Sequence, residues 1–270
     1  MKTFFLHITL FIYGLLLINS PIAAQVLLPQ YSVWEGFAFS NQQAVESRDA
    51  EERFARFLLS LEQQTPTQQA EQIGALLAKT EQYNATARFL TLAEKYLYDP
   101  NSPYRNDERY LLFLQYAATY QLADYTTNPR YQKHYAMVQK NRVGIPAADF
   151  LFTTQAGEKG RLYNLQSKYI LLFFHDPDCE ECQYVKKQLE NQHAHFVQKG
   201  VLVVAVYIDD EVEAWQKAHY PSAWLSIYAP EIDRQDLYDI KALPTLYLLD
   251  TQKRVVLKDA QIDKVVSYYE

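Results

Sequence analysis

The sequence predicts two structural parts: an α-helical N-terminal domain, and an α/β C-terminal domain whose mixed central sheet is flanked by helices. Three observations support this prediction. Apolar residues between positions 25 and 142 recur at helical spacing. Between positions 143 and 270, β-rich apolar runs alternate with shorter helical patterns. The stretch Val143-Gly144-Ile145-Pro146 separates the two patterns and marks the junction between the domains.

Residues 1–24 have the pattern of a secretory signal peptide. Lys2 is their one charged residue, positions 4–18 are mostly apolar, and small residues precede a cleavage point after Ala24. The apolar run is shorter than the roughly 20 residues that cross a bilayer as a helix, so we expect cleavage over retention as an anchor. The mature chain is therefore expected in the periplasm or outside the cell, where disulfides persist.

The helical domain is divided by capping residues and prolines. Five helices over about 115 residues form a small domain with a core of leucine and aromatic side chains. The segment Tyr98–Pro103 ends the third helix, because proline cannot continue it. The expected helix starts are Asp49, Thr65, Asn84, Asn106 and Pro129, with Asn84 and Asn106 as N-caps.

The C-terminal domain is predicted to contain seven strands and four helices. The predicted strands are Phe150–Thr153, Arg161–Tyr163, Tyr169–Phe174, Val201–Ile208, Trp224–Tyr228, Thr245–Leu249 and Arg254–Lys258. The predicted helices run from the cysteines to Gly200, from Glu211 to His219, from Asp233 to Ile240 and from Gln261 to Tyr268.

Cys179 and Cys182 are the two cysteines of the chain, and their spacing indicates redox chemistry. They follow a buried strand and open a helix, where unpaired backbone N–H groups favour a thiolate. Two intervening residues place the second sulfur one turn on, close enough to displace whatever the first has bonded. We therefore predict a thiol–disulfide site with Cys179 as nucleophile and Cys182 as resolving thiol.

Three other roles for the cysteines stay open. A structural disulfide would close a loop of only four residues, which stabilises a fold little. The two thiolates and His175 could hold copper or zinc, as in a metal chaperone, but a histidine at a strand end is more often packed or hydrogen-bonded. No metal is assigned. The domain could also be a binding module with weak or no redox activity.

Four acidic residues surround the pair: Asp176, Asp178, Glu180 and Glu181. Their negative charge disfavours a second anion, so they should raise the thiol pKa. A destabilised thiolate favours the disulfide over the dithiol. We therefore expect a reducing couple.

The overall composition excludes other classes of function. The 270 residues include 26 basic and 32 acidic side chains, for a net charge of −6, and no basic cluster offsets that charge. Such a chain is unsuited to nucleic acid or to an anionic membrane surface. The sequence also contains no phosphate-binding loop, dinucleotide fingerprint or G-x-S-x-G motif. We expect neither a cofactor nor a nucleic-acid partner.

The C-terminal part resembles the thioredoxin fold, and more closely the exported thioredoxin-like reductases of the TlpA/ResA type. Three motifs carry the resemblance: Gly144–Phe150, the strand and C-x-x-C motif of Leu171–Cys182, and Ala242–Asp250. The helical part is similar, at Tyr98–Pro103, to a domain of no known activity that precedes such modules in secreted bacterial proteins.

The resemblance implies a function and a substrate-binding edge. It implies a protein-disulfide reductase that a membrane or periplasmic electron donor re-reduces. It also implies that the Leu243–Pro244 peptide bond is cis and lies beside the cysteines, where Leu243, Pro244 and Thr245 would bind an extended substrate segment.

The sequence departs from the family pattern at several positions. Phe173 replaces the buried acid found six residues before the first cysteine in many thioredoxins, and His175 stands where tryptophan is usual. Asp178 replaces an aromatic residue, and no proline lies between the cysteines. We expect that resolution of the mixed disulfide is slow or uses another base.

Overall fold

The computed structural model describes residues 33–268. The predicted signal peptide lies outside these residues. Among the described residues, no helix combines the length and apolar character that a membrane span requires.

Residues 42–138 are organised around seven helices. Their bounds are α1 Gln42–Val45, α2 Arg48–Ser60, α3 Pro66–Gln82, α4 Thr86–Leu97, α5 Asp107–Thr119, α6 Ala123–Thr126 and α7 Pro129–Val138. Aromatic rings fill the centre of this part. Phe54 lies 6.1 Å from Phe89 and 5.8 Å from Phe113 between ring centroids, and all three side chains are fully buried. Such packing of apolar faces supplies most of the stability of helices this short.

Five helices were expected in this part of the chain, and the short α1 and α6 were missed. The cap at Asn106 is confirmed, because its Oδ1 accepts the N–H of Arg109 at 3.0 Å. The cap at Asn84 is wrong. Asn84 has φ of 56° and ends α3: its N–H bonds to Glu81 and the following N–H bonds to Thr80, which is a Schellman arrangement. Helix α4 then begins without a side-chain cap.

The C-terminal part contains a seven-stranded mixed sheet in the order β2-β1-β5-β4-β3-β6-β7. The strands are β1 Leu151–Thr154, β2 Lys159–Arg161, β3 Tyr169–Phe174, β4 Val201–Tyr207, β5 Leu225–Tyr228, β6 Thr245–Leu249 and β7 Val255–Leu257. Strands β3, β4 and β5 are parallel, and β6 pairs with β3 in the antiparallel direction. Six of the predicted strands are confirmed within one residue at each end. The strand predicted over Arg161–Tyr163 shares only Arg161 with β2, because Leu162–Asn164 forms a 3-10 helix.

Five helices flank this sheet. They are α8 Glu180–Asn191, α9 His193–Lys199, α10 Val212–Lys217, α11 Glu231–Arg234 and α12 Ile262–Ser267. The single helix expected after the cysteines is broken at Gln192 into α8 and α9, and α9 ends at Gly200 with φ of 74°, as predicted. The helical turn or two expected over Asp233–Ile240 is a single turn that begins two residues earlier, at Glu231, and ends at Arg234, because Asp236 adopts φ of 49°.

Alternate residues of β3 enter two different cores, which lie on opposite faces of the sheet. Ile170, Leu172 and Phe174 belong to one core, and Leu171 and Phe173 belong to the other with residues of α8 and α9. Both faces of the sheet are therefore covered, as the unbroken apolar run predicted.

Candidate active site

The dithiol lies where β3 leads into α8. Cys179 is the N-cap residue of α8, and the backbone N–H of Cys182 donates to its Sγ at 3.2 Å. A thiolate at this position would accept that hydrogen bond and lie at the N-terminus of the helix, where the partial charge of the helix is positive. Both cysteines are free thiols.

The two thiols differ in exposure. Cys179 is half-buried, whereas Cys182 is only 1% exposed. Burial raises the pKa of Cys182 to about 12, against the effect of a backbone hydrogen bond from Asp176. The sequence predicted a raised thiol pKa from the surrounding carboxylates. At Cys182 burial is the largest cause of the raised pKa, the hydrogen bond and charge of Cys179 follow, and the charge of Asp176 contributes less.

His175 packs in the interior at the end of β3 and is 2% exposed. Its ring stacks on Phe173 at 4.7 Å, and its Nε2 lies 3.3 Å from the hydroxyl of Tyr220. Burial, with a contribution from the charge of Lys186, lowers the pKa of His175 to about 4, so the imidazole is neutral at pH 7. Among residues 33–268, no group of three or more histidine, cysteine, aspartate or glutamate side chains is placed to hold a metal ion.

Strand β6 brings Leu243, Pro244 and Thr245 to the edge of the sheet at which β3 ends. Thr245 is paired with Phe174, the last residue of β3, so Pro244 lies beside the segment that leads to the cysteines. The Leu243–Pro244 peptide bond is cis. The hydroxyl of Thr245 donates to the carbonyl of Ala242 at 2.7 Å and closes the turn before β6. Leu243 lines a cavity of about 200 Å³ with His175 and Asp176.

This cavity has an acidic wall that the sequence analysis did not single out. Asp209 and Asp210 follow β4 and line the cavity with Asp176. Burial, followed by the charges of Asp209 and Asp176, raises the pKa of Tyr207 to about 12. The carboxyl ends of parallel strands meet at one edge of a sheet. The position of Asp209 after the apolar residues of β4 could therefore have predicted this acidic wall from the sequence.

A second cavity, of about 640 Å³, is lined in part by the buried thiol. Cys182, His175, Lys186 and Tyr220 line it. The ammonium group of Lys186 lies 5.5 Å from the centroid of the Tyr220 ring. Nothing in the sequence singles out Tyr220, because its contact with His175 joins segments 45 residues apart.

A thioredoxin-like fold is defined by three features together. Strands β3, β4 and β5 are parallel, β6 is antiparallel to β3, and the dithiol lies at the start of the helix that follows β3. Residues 143–258 match the AhpC/TSA family, and residues 23–141 match a domain of unknown function, DUF5106. A crystal structure of a thioredoxin-like protein from Bacteroides caccae superposes with a TM-score of 0.82 at 30% identity, over 89% of this chain and 91% of that one. The chain belongs to the thioredoxin-like proteins.

The C-terminal part is also similar to bacterial thiol-disulfide oxidoreductases. The thiol-disulfide oxidoreductase ResA of Bacillus subtilis is 30% identical over 118 residues, which are 42% of this chain and 64% of ResA. ResA of Bacillus cereus is 27% identical over 132 residues, or 47% of this chain and 75% of that protein. The resemblance to TlpA/ResA-type proteins expected from the motifs is confirmed for this part of the chain.

Proposed function

We propose that this protein reduces disulfides of other proteins through Cys179 and Cys182. The observation that supports this most directly is the difference between the two thiols. Cys179 is partly exposed and its Sγ accepts a backbone hydrogen bond, whereas Cys182 is covered and its pKa is raised to about 12. A nucleophile must reach the substrate, and a resolving thiol must stay protonated until the mixed disulfide has formed.

In the first step, the Cys179 thiolate attacks one sulfur of the substrate disulfide. The substrate S–S bond breaks, a Cys179–substrate disulfide forms, and the departing thiolate takes up the proton that Cys179 had released. In the second step, Cys182 loses its proton and attacks the Cys179 sulfur. The second substrate thiolate leaves and is protonated, and the Cys179–Cys182 disulfide remains. Two electrons have then passed to the substrate.

The return to the dithiol needs a donor of the same chemical class. We propose that a dithiol protein of the membrane or periplasm reduces the Cys179–Cys182 disulfide by the reverse exchange. The similarity to ResA, a thiol-disulfide oxidoreductase, supports this proposal.

Leu243, Pro244 and Thr245 are the proposed contact with the substrate backbone. Pro244 has no N–H, and the register of β6 puts this residue beside the end of β3. The main chain of Leu243 would pair with an extended segment next to the substrate cysteine, as in the addition of a strand to a sheet edge.

A trapping experiment tests the proposal. Cys182→Ser should accumulate a covalent complex between Cys179 and a disulfide-containing protein, and reduction with dithiothreitol should release the partner. Cys179→Ser is the matched control and should trap nothing. Wild-type protein should also accelerate the reduction of insulin by dithiothreitol. Absence of both the complex and the acceleration would contradict a reductase function and would favour a binding module.

We further propose that the protein is exported and cut after Ala24. The charge, apolar length and small residues of the leader support this proposal. Expression of the full chain should yield a periplasmic or secreted species whose N-terminal residue is Gln25. A cytoplasmic species that retains Met1 would argue against it.

A further inference from the structure

We infer that the helical part of this protein forms one wall of the binding site for the polypeptide that flanks the substrate disulfide. The inference rests on the proposed reductase function. It assigns to residues 33–141 a role in substrate selection. The proposed binding site is a cleft between the helical and α/β parts.

The two parts are held together at a buried cluster of charged residues. Lys241 donates to Asp107 at 2.9 Å, and Lys258 lies 3.0 Å from the same carboxylate. Arg105 lies 3.2 Å from Asp259, and the hydroxyl of Tyr98 donates to Asp239 at 2.9 Å. The side chains of Lys241 and Lys258 are only 4% and 5% exposed. Because separating these pairs would leave buried charges unpaired, the cleft next to them has a set geometry.

A cavity of about 710 Å³ opens beside this cluster, between the two parts. Thr91, Tyr98 and Lys133 line it from the helical side, and Asp233 and Lys241 line it from the α/β side. Its size is that of a pocket that encloses a ligand of several hundred daltons or a few residues of extended chain.

The cleft and the 200 Å³ cavity meet at a shared lining residue on the α/β side. Asp233, an exposed residue of α11, lines both the large cavity and the 200 Å³ cavity that contains Leu243 and Asp176. Lys241 lines the cleft and is two residues before Leu243. A substrate strand that paired with Leu243 and continued past Asp233 would therefore enter the cleft.

The lining of the cleft fits a polar segment of polypeptide. The helical wall presents Arg130 and Lys133, whose side chains are 52% and 67% exposed, and each faces a carboxylate: Glu94 at 3.1 Å and Asp236 at 3.8 Å. Tyr98 adds an aromatic surface, with the ammonium group of Lys241 4.7 Å from its ring centroid. Charges of both signs at the rim favour a chain that carries polar side chains over an apolar one.

The experiment compares peptide substrates of two lengths. The short peptide carries a disulfide with two residues on each side, and the long peptides add about eight polar residues, about 26 Å when extended, on one side or the other. For the wild-type protein, kcat/KM should be about tenfold higher with one of the long peptides than with the short one. The quantity to compare among variants is this gain from the extension.

Two variants change the helical wall without touching the dithiol. Lys133→Glu reverses an exposed charge, and Thr91→Trp places a large side chain in the cleft from an exposed position of α4. Both should abolish the gain from the extension. Arg48→Ser is the control, because Arg48 is 91% exposed on α2 and does not line the cleft, and it should keep the gain.

The outcomes separate this inference from the proposed function. Equal kcat/KM for short and long peptides, or a gain that persists in both wall variants, would overturn the inference while the reductase function stands. No reduction of either the short or the long peptides by the wild-type protein would overturn the reductase function, and this inference with it.

Discussion

The ammonium nitrogen of Lys241 lies 2.9 Å from a carboxylate oxygen of Asp107, although 134 residues separate the two in the chain. Asp107 is the first residue of α5 in the helical part, and Lys241 belongs to the segment that leads to the Leu243–Pro244 bond. Burial would raise the pKa of Asp107, but the charges of Lys241 and Lys258 outweigh it and hold that pKa below its usual value. The pair thus connects the position of the proposed substrate-binding strand to the helical part.

Asp107→Asn should destabilise the protein by about 3 kcal/mol. It leaves the buried ammonium group of Lys258 without its carboxylate, while Lys241 keeps Asp239 and Asp259. Urea unfolding at pH 7 measures the loss. Glu52→Gln is the control: it breaks a pair with Arg48 whose side chains are 56% and 91% exposed, and it should cost less than about 1 kcal/mol. Equal effects of the two substitutions would contradict the ionic role of the cluster.

Iodoacetamide should alkylate Cys179 of the reduced protein at pH 7 and leave Cys182 unmodified. Burial raises the pKa of Cys182 to about 12, so few molecules carry its thiolate at this pH, and its side chain is 1% exposed. Peptide mapping by mass spectrometry distinguishes the two sites. In 8 M urea both cysteines should react, which controls for the intrinsic reactivity of each thiol. Faster labelling of Cys182 in the folded protein would reverse the proposed roles.

The free energy of unfolding should decrease as the pH falls from about 6.5 to about 4. Protonation of His175 in the unfolded state should account for part of this decrease. The pKa of this imidazole is about 4 in the folded protein and about 6.5 in an unfolded chain, so the unfolded state binds the extra proton in this window. Lys186 and Tyr220 face the ring and are retained in the variant His175→Asn.

The measurement is the free energy of unfolding at several pH values for the wild-type protein and for His175→Asn. The difference between the two curves should change by up to about 3 kcal/mol within this window and be constant above it. Parallel curves from pH 4 to 8 would show that His175 is not buried as a neutral group.

Thr245→Val should destabilise the turn before β6 by about 1 kcal/mol. The substitution removes the hydroxyl that donates to Ala242 at 2.7 Å, at a side chain that is 2% exposed. Thr245→Ser keeps the hydroxyl and is the matched variant. The measurement is the urea midpoint of the wild-type protein and of the two variants. The midpoint of the serine variant should lie nearer to that of the wild type than the midpoint of the valine variant does. The opposite order would mean that the methyl group contributes more to stability than the hydrogen bond.

Much of the fold was predictable because it depends on local sequence patterns. The bounds of β3 were predicted without error, since six apolar residues in a row specify a strand that is buried on both faces. The asparagine side chain of Asn106 and the left-handed conformation of Gly200 set their helix ends from a few neighbouring residues. Asn84 shows the limit of this reasoning, because asparagine suits both an N-cap and a left-handed helix end.

The sequence by itself determined the class of the α/β part, the placement of both thiols at the start of a helix, and the proline before β6. These features follow from residue type and spacing within short segments. Only the tertiary structure decided that Cys182 is buried, that His175 meets Tyr220, and that Lys241 meets Asp107. Each of these depends on which distant segment packs over a residue, and that is set by the order of the strands and by the docking of the helical part against them.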